Sequence, residues 1–233
     1  VFDDGSILVR TGRIFSIRDA PMTGVSRDSS VYYRVGPNGV VLDTIGTFPG
    51  SEAFVHTTDR GFIVTSLPFG RHAVAVVQGA RFYFGAKDTY EVGVYSTDGT
   101  LQRLVRRRFS NLAVTPEDIE CHKQQQLEAT TDENFRRAQE RMFSAMPFPA
   151  IMPAYDRLLV DAAGNLWVEE YRRPADEQPQ WTVFDVDGRM LGTVEMPPGF
   201  SPTEIGRDHV LGTIRDELDV ERVRVYGLER AEG

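Results

Sequence analysis

Cysteine is almost missing from this sequence: Cys121 stands alone among 233 residues, so no intrachain disulfide can form and the redox compartment stays open. Cys121 and His122 adjoin, but no further ligands lie at zinc-site spacing, and the thiol reads as structural or incidental. No apolar run reaches the length of a membrane span. Positive charge is also short, with 26 Lys and Arg against 34 Asp and Glu and a formal net charge of -8. That balance argues against a broad nucleic-acid footprint, and the only basic run, Arg106 to Arg108, reads as an exposed strand end. Catalytic signatures are absent too. There is no G-x-S-x-G elbow, no phosphate-binding Walker loop and no H-E-x-x-H helix, and His56, His72, His122 and His209 are scattered.

What is present is a repeat. The stretch from Asp161 to Val194 reads as a turn, a strand 166–171, a loop, a strand 181–186, an Asp187-Gly188 turn and a strand 190–194. One of its strand types follows a tight turn and recurs at Gly5 with Ile7-Leu8-Val9, Gly79 with Arg81-Phe82-Tyr83, Gly164 with Leu166-Trp167-Val168, and Asp208 with Val210-Leu211-Gly212. The other type runs into Asn38-Gly39, Asp98-Gly99 or Asp187-Gly188, where both central residues of a two-residue hairpin turn are expected at positive φ. An outer strand leaves each of these turns. Val223, Val225 and Tyr226 repeat the pattern once more, with no such turn or outer strand after them.

Antiparallel repeats of this kind predict an all-β fold, a β-propeller with about four blades visible of six and a helical insertion between the second and third visible blades. The blades are expected at about 1–48, 71–108, 154–196 and 203–230, with a hairpin insertion at 49–70 and a helical insertion at 109–153. The repeat starts 74, 85 and 44 residues apart; if the last spacing is a plain blade, the first two carry roughly 30 and 40 inserted residues. In the helical insertion, Thr115 with Pro116, Glu117 and Asp118 makes one helix start, and Thr131-Asp132-Glu133 a second. Phe135, Ala138, Met142 and Met146 share a helical face expected to pack on the propeller, and Pro147 ends that helix. Aromatic residues at equivalent repeat positions, Phe82, Tyr95, Trp167 and Phe184, are expected between blades.

The segments LLVDAAGNLWVEEY, WTVFDVDGRMLG and DELDVERVRVYGLER resemble those of uncharacterised bacterial six-bladed propellers of the NHL-like and lactonase-like group. The resemblance implies fold more than function. With it goes the expectation that this chain is a C-terminal fragment, with one or two blades and any targeting segment before Val1. A periplasmic or secreted location rests on the resemblance alone.

The long loops all fall between second and third strands or between blades, which places them on one face, and such loops on a rigid scaffold are where binding concentrates. The leading expectation is a non-catalytic recognition module, its candidate ligand-binding residues on that face being Arg18, Asp19, Arg71, His72, Lys87, Asp88, Tyr171, Arg172, Asp216 and Glu217. The partner class stays open among protein, peptide, glycan and small molecule, with nucleic acid excluded and no cofactor called for. The alternative is a metal-dependent lactonase or esterase-like hydrolase with calcium or zinc in the central channel, for which Asp156, Asp161, Asn165, Glu169 and Glu170 are the available acids and amide. Glu169 and Glu170 point to opposite faces of one strand and cannot act as a pair.

Overall fold

The computed structural model describes residues 1–12, 23–58, 61–217 and 219–230. Strand β1 (Ile7–Thr11) pairs with β3 (Ser29–Val35), and β3 with β4 (Val41–Pro49), while β2 (Gly24–Ser26) joins the hairpin of β5 (Ala53–Thr58) and β6 (Gly61–Ser66) in a separate sheet. The second meander runs β7 (Val74–Gln78), β8 (Arg81–Gly85), β9 (Glu91–Ser96) and β10 (Leu101–Arg106). The third runs β11 (Tyr155–Val160), β12 (Leu166–Glu170), β13 (Gln180–Phe184) and β14 (Met190–Glu195), and the fourth β15 (Ser201–Ile205), β16 (His209–Arg215) and β17 (Glu221–Gly227). Every one of these pairings is antiparallel, and apart from that of β2 with β5 each joins neighbours within one sheet's meander or hairpin.

One turn device recurs among these connections. The N–H of Gly188 donates to the Asp185 carbonyl at 2.9 Å and the Asp185 N–H to the Arg189 carbonyl at 2.8 Å. Ser96 with Gly99 and Thr100, and Asp161 with Gly164 and Asn165, repeat it. Contrary to the two-residue reading, only the glycine of each pair has positive φ, at +79° in Gly39, +84° in Gly99 and +80° in Gly188. The turn is therefore a longer one that ends in a left-handed glycine and a bulge, and the register shifts beside it at Leu101/Arg103 and Val183/Phe184.

Successive meanders are joined face to face by apolar seams. Phe2, Tyr32, Ile45, Phe82 and Phe84 fill the first, with Phe48 and Tyr95 packed against it and the Phe48 and Phe84 rings 4.6 Å apart. Tyr90, Val92, Tyr155, Leu158, Val168 and Phe184 fill the second, where a Cβ on Gly85 would lie 1.9 Å from the Tyr155 hydroxyl, so only glycine fits. Trp167, Trp181, Val183, Phe200, Ile205 and Val210 fill the third. Strand β12 shows how one sequence serves two seams: Leu166 and Val168 face the second meander while Trp167 faces the fourth. Meanders stacked in chain order through both faces make this an all-β propeller.

Helix α1 (Pro116–Glu128) opens with a capping box in which the Asp118 N–H donates to Thr115 Oγ1 at 3.2 Å and the Thr115 N–H to Asp118 Oδ2 at 2.8 Å. Helix α2 (Glu133–Ala145) is capped by Asp132, which accepts from the Asn134 and Phe135 N–H groups at 2.8 Å each. Its expected apolar face is only half used. Phe135 is 66% exposed and Ala138 is exposed, whereas Phe143 and Met146 are buried, with Met142 packed alongside. The helix touches the β5–β6 hairpin with its last turns alone, against Phe54 and Leu67. No helix among the described residues is long and apolar enough to cross a membrane.

Candidate functional site

The entry to β7, the exits of β8 and β12, and β11 bring charged side chains together where the insertions emerge. Arg71 and Asp88 are held in a clamp. Buried Glu52 accepts from the Arg71 backbone N–H at 2.8 Å and pairs with the Arg71 guanidinium, whose Nη1 reaches Asp88 at 2.6 Å. Arg27 grips the other side of Asp88 at 2.8 and 2.9 Å, and its remaining nitrogens donate to the carbonyls of Gly50 and Ala86 at 2.9 and 2.7 Å. Burial alone would raise the Glu52 and Asp88 carboxyls, but the bonds from these arginines outweigh it and hold both below the usual carboxylate range. This clamp ties the small β2–β5–β6 sheet to the end of β8.

Next to it, the His72 ring lies 3.2 Å from the Leu67 carbonyl, and burial lowers its pKa so that it is neutral near pH 7. Lys87 is 3% exposed, with its ammonium 3.5 Å from Asp156 Oδ1; burial depresses its pKa and Asp156 opposes the depression. The backbone of Lys87 is also left-handed, at φ +66°, which costs an L-residue about 1–2 kcal/mol. Glu169, 1% exposed, is shared by Arg157 at 2.5 Å and Arg172 at 3.6 Å. Arg157 donates further to Ser201 Oγ at 2.9 Å and lies over the Trp181 ring at 5.4 Å, so Arg172 is the loosest member. Its other contacts, to the Asp176 and Glu177 carbonyls, are 3.4 and 3.3 Å. Burial, with the charge of Asp156 adding, pushes the Tyr171 hydroxyl up to about 12.

His72, Tyr171 and Arg172 line a cleft of about 430 Å³ together with the apolar residues Leu67, Phe69, Met142, Phe143 and Met146. His122 and Gln125 of α1 and the polar Thr65, Ser66 and Gln139 line it as well. Phe69 is left-handed as well, at φ +56°, so two of the three non-glycine residues at positive φ among the described residues border this site. Strain of this kind persists where the surroundings over-determine it, and it gathers at ligand clamps. A trough of about 530 Å³ elsewhere is lined by solvated α1 side chains and Arg136, with no comparable convergence of polar and apolar groups.

Of the ten residues nominated from sequence, three line the cleft. Lys87 stands behind them, and Arg71 and Asp88 form the clamp. Asp216 and Glu217 sit in the turn between β16 and β17, where Asp216 accepts from the Val220 N–H at 3.0 Å and from Arg222 at 2.7 Å. Arg18 and Asp19 lie outside the described residues. Sequence reasoning missed Glu52 and Arg157, and of the apolar lining it marked only Met142 and Met146, as a packing face of a helix.

The five residues available for a channel metal do not converge. Asp156 is beside Lys87, and Glu169 is held by Arg157 and Arg172. Glu170 lies in the opposite seam, accepting from Tyr90, Arg107 and Thr182 at 2.8, 2.6 and 2.5 Å. Asp161 and Asn165 are bound up in their turn, where Asp161 Oδ2 accepts from Trp167 Nε1 at 3.0 Å and from Arg230 at 2.9 Å. Among the described residues no group of three or more His, Cys, Asp or Glu gathers. This donor set does not fit a divalent ion.

No protein-family model matches the chain, and no curated protein matches it. Among solved structures, the calcium-binding protein regucalcin from Agrobacterium tumefaciens strain C58 is similar to 82% of this chain at 11% identity and a TM-score of 0.28. The chain spans about half the length of that structure, 51% of it being covered. At this level the likeness adds nothing to the propeller already read from the meanders and their seams.

Proposed function

We propose that this chain is a non-catalytic recognition module that takes its ligand in the cleft between the helical insertion and the inner strand ends. The observation that supports this reading is the convergence there of His72, Tyr171 and Arg172 with the apolar ends of α2 and the hairpin, beside two strained residues. A cleft of about 430 Å³ suits a small molecule or one projecting group of a larger partner, within the usual range for ligand pockets. The same reading takes the meanders as blades of a bacterial six-bladed propeller of the NHL-like group, divided at 1–48, 71–108, 154–196 and 203–230, with insertions at 49–70 and 109–153.

The competing outcome is a lactonase or esterase-like hydrolase that depends on calcium or zinc. The paired state of Asp156 and Glu169 speaks for recognition, because an ion would first have to displace Lys87, Arg157 and Arg172 from those carboxylates. Thermal unfolding of the protein with and without calcium or zinc, alongside a lactone and ester hydrolysis screen, tests the choice. We expect no metal-dependent shift and no turnover. A large shift on adding metal, together with chelator-sensitive hydrolysis, overturns the proposal.

A further inference from the structure

We infer that the cleft recognises an amphipathic organic carboxylate, its anionic head at Arg172 and Tyr171 and its apolar body along Phe69, Met142, Phe143 and Met146. The inference rests on the cleft being the binding site and adds the class of ligand. Three features of the site lead to it.

Charge is the first. The chain as a whole carries -8, yet the site sets the three cations Lys87, Arg157 and Arg172 against the two carboxylates Asp156 and Glu169. One positive charge is left over in a half-buried setting, where a pair interacts more strongly than in bulk water. Arg157 is anchored to Glu169 and Ser201 and stacked over Trp181, and Lys87 is almost fully covered. Arg172, 35% exposed, is the cation best able to turn toward an incoming anion, since its polar contacts among the described residues are 3.3 Å or longer. A planar guanidinium grips both oxygens of a carboxylate, and such charge-assisted pairs are the strong ones.

Hydrogen-bond direction is the second feature. Tyr171 lines the cleft with a hydroxyl that stays protonated far above neutral pH and so can donate. The His72 ring is neutral near pH 7 and offers a further polar group without adding charge.

Shape and polarity are the third. The apolar part of the lining includes two methionines and two phenylalanines. Methionine is pliant and polarisable, suited to apolar bodies of varying outline. A purely polar anion would leave those apolar residues wet, and a purely apolar ligand would take water from Arg172 and leave it only its long contacts to Glu169 and the Asp176 and Glu177 carbonyls. A molecule with both halves satisfies both sides.

The test uses the protein with carbon-13 methyl-labelled methionine, so that Met142 and Met146 report on the cleft, and a straight-chain series from hexanoate to decanoate. Alcohols and protonated amines of equal length run in parallel. We expect the carboxylates to move both methyl signals and to bind at least tenfold more tightly than the matching alcohols, as loss of a charged hydrogen bond implies. Each added methylene should tighten binding roughly three- to fourfold until the apolar lining is covered. Arg172→Ala and Tyr171→Phe should erase most of the preference over alcohols while the methylene increments persist; Met142→Ala should do the reverse. Alcohols or amines binding as well as the carboxylates, with the methyl signals moving, overturn the carboxylate class and leave the cleft as a binding site. If no member of any series moves Met142 or Met146, both the class and the recognition reading fall.

Discussion

The third and fourth meanders are built alike and end up in opposite states. Both start from a tight turn, and both send a second strand into a third through antiparallel pairing. In the third meander, β12 and β13 are covered on both faces, and Trp167, Val168 and Trp181 are buried almost completely. In the fourth, every residue of β17 is exposed, with Val223 at 69% and Val225 at 62%. The difference does not lie in strand-forming character, since Val223 and Val225 have as much of it as Val168. It lies in neighbours: β12 and β13 have a meander on each face and a paired strand on each edge, whereas β17, among the described residues, is paired to β16 along one edge only. Burial in a propeller is a property of position in the stack.

That comparison breaks most readily at Trp181. Replacing it with alanine should cost about 3–5 kcal/mol by urea unfolding, since a large fully buried ring is removed from the third seam. Trp181→Phe should be far milder, about 1.5 kcal/mol or less, because the ring volume is mostly kept. The indole N–H has no hydrogen-bond partner among the described residues, so no bond is lost with it. A loss below about 1 kcal/mol for the alanine variant would mean that the third seam is not packed as described.

Asp161 sharpens the contrast chemically. Its carboxylate is fully buried and accepts from the Ala163 and Asn165 N–H groups, the Asn165 amide, Trp167 and Arg230. In the fourth meander the equivalent turn, between β15 and β16, opens on Gly206, which has no side chain and whose N–H donates to the His209 carbonyl at 2.8 Å. Asp161→Ala should cost about 2–4 kcal/mol, the scale of leaving buried donors unpaired. Burial works to raise the Asp161 pKa, but those bonds together hold it below its ordinary value of 3.8. A carboxyl depressed in the folded state adds stability that is fully present above the unfolded value, near 4, and is lost as pH falls through the folded value. The gap between the protein and Asp161→Asn should therefore be widest at neutral pH and narrow below pH 4 in urea titrations. A gap that stays constant from pH 7 down to pH 2 would show that the charge of Asp161 is not what the turn uses.

Local signals in the sequence carried the architecture further than the site. The Asp187-Gly188 turn, the strand at Leu166 and the Thr115 cap are short-range features, set by backbone φ and by side chains a few residues away. Helix α2 marks where that stops. Its periodicity identifies which residues share a face, but not that only its last turns meet the hairpin, which leaves Phe135 in solvent. The site divides in the same way. His72, Tyr171 and Arg172 were recognisable as strand-end residues on the elaborated face. Arg71 and Asp88 looked identical by that criterion, and only the approach of Arg27, 61 residues away from Asp88, shows them to be a clamp. Nothing near Lys87 in the chain marks it as buried or left-handed, because both properties come from the packing of β11 and the exit of β8 around it.

The smallest expected effect is at β17, and it is the most direct test of whether position decides burial. Val225 is paired to Leu211 through the backbone, and its side chain is mostly in solvent. Val225→Thr keeps the β-branch that favours an extended strand and swaps a methyl group for a hydroxyl that water can satisfy. Its effect on unfolding should stay within about 0.5 kcal/mol, as for other exposed substitutions away from special features. Hydrogen exchange supplies the second reading. Amides of β13, bonded within a doubly covered sheet, should open only with global unfolding, while those of β17 should exchange through local fraying. If Val225→Thr costs more than about 2 kcal/mol, or β17 is protected as strongly as β13, then another element covers this strand in solution. The two meanders would then be equivalent in state as well as in design.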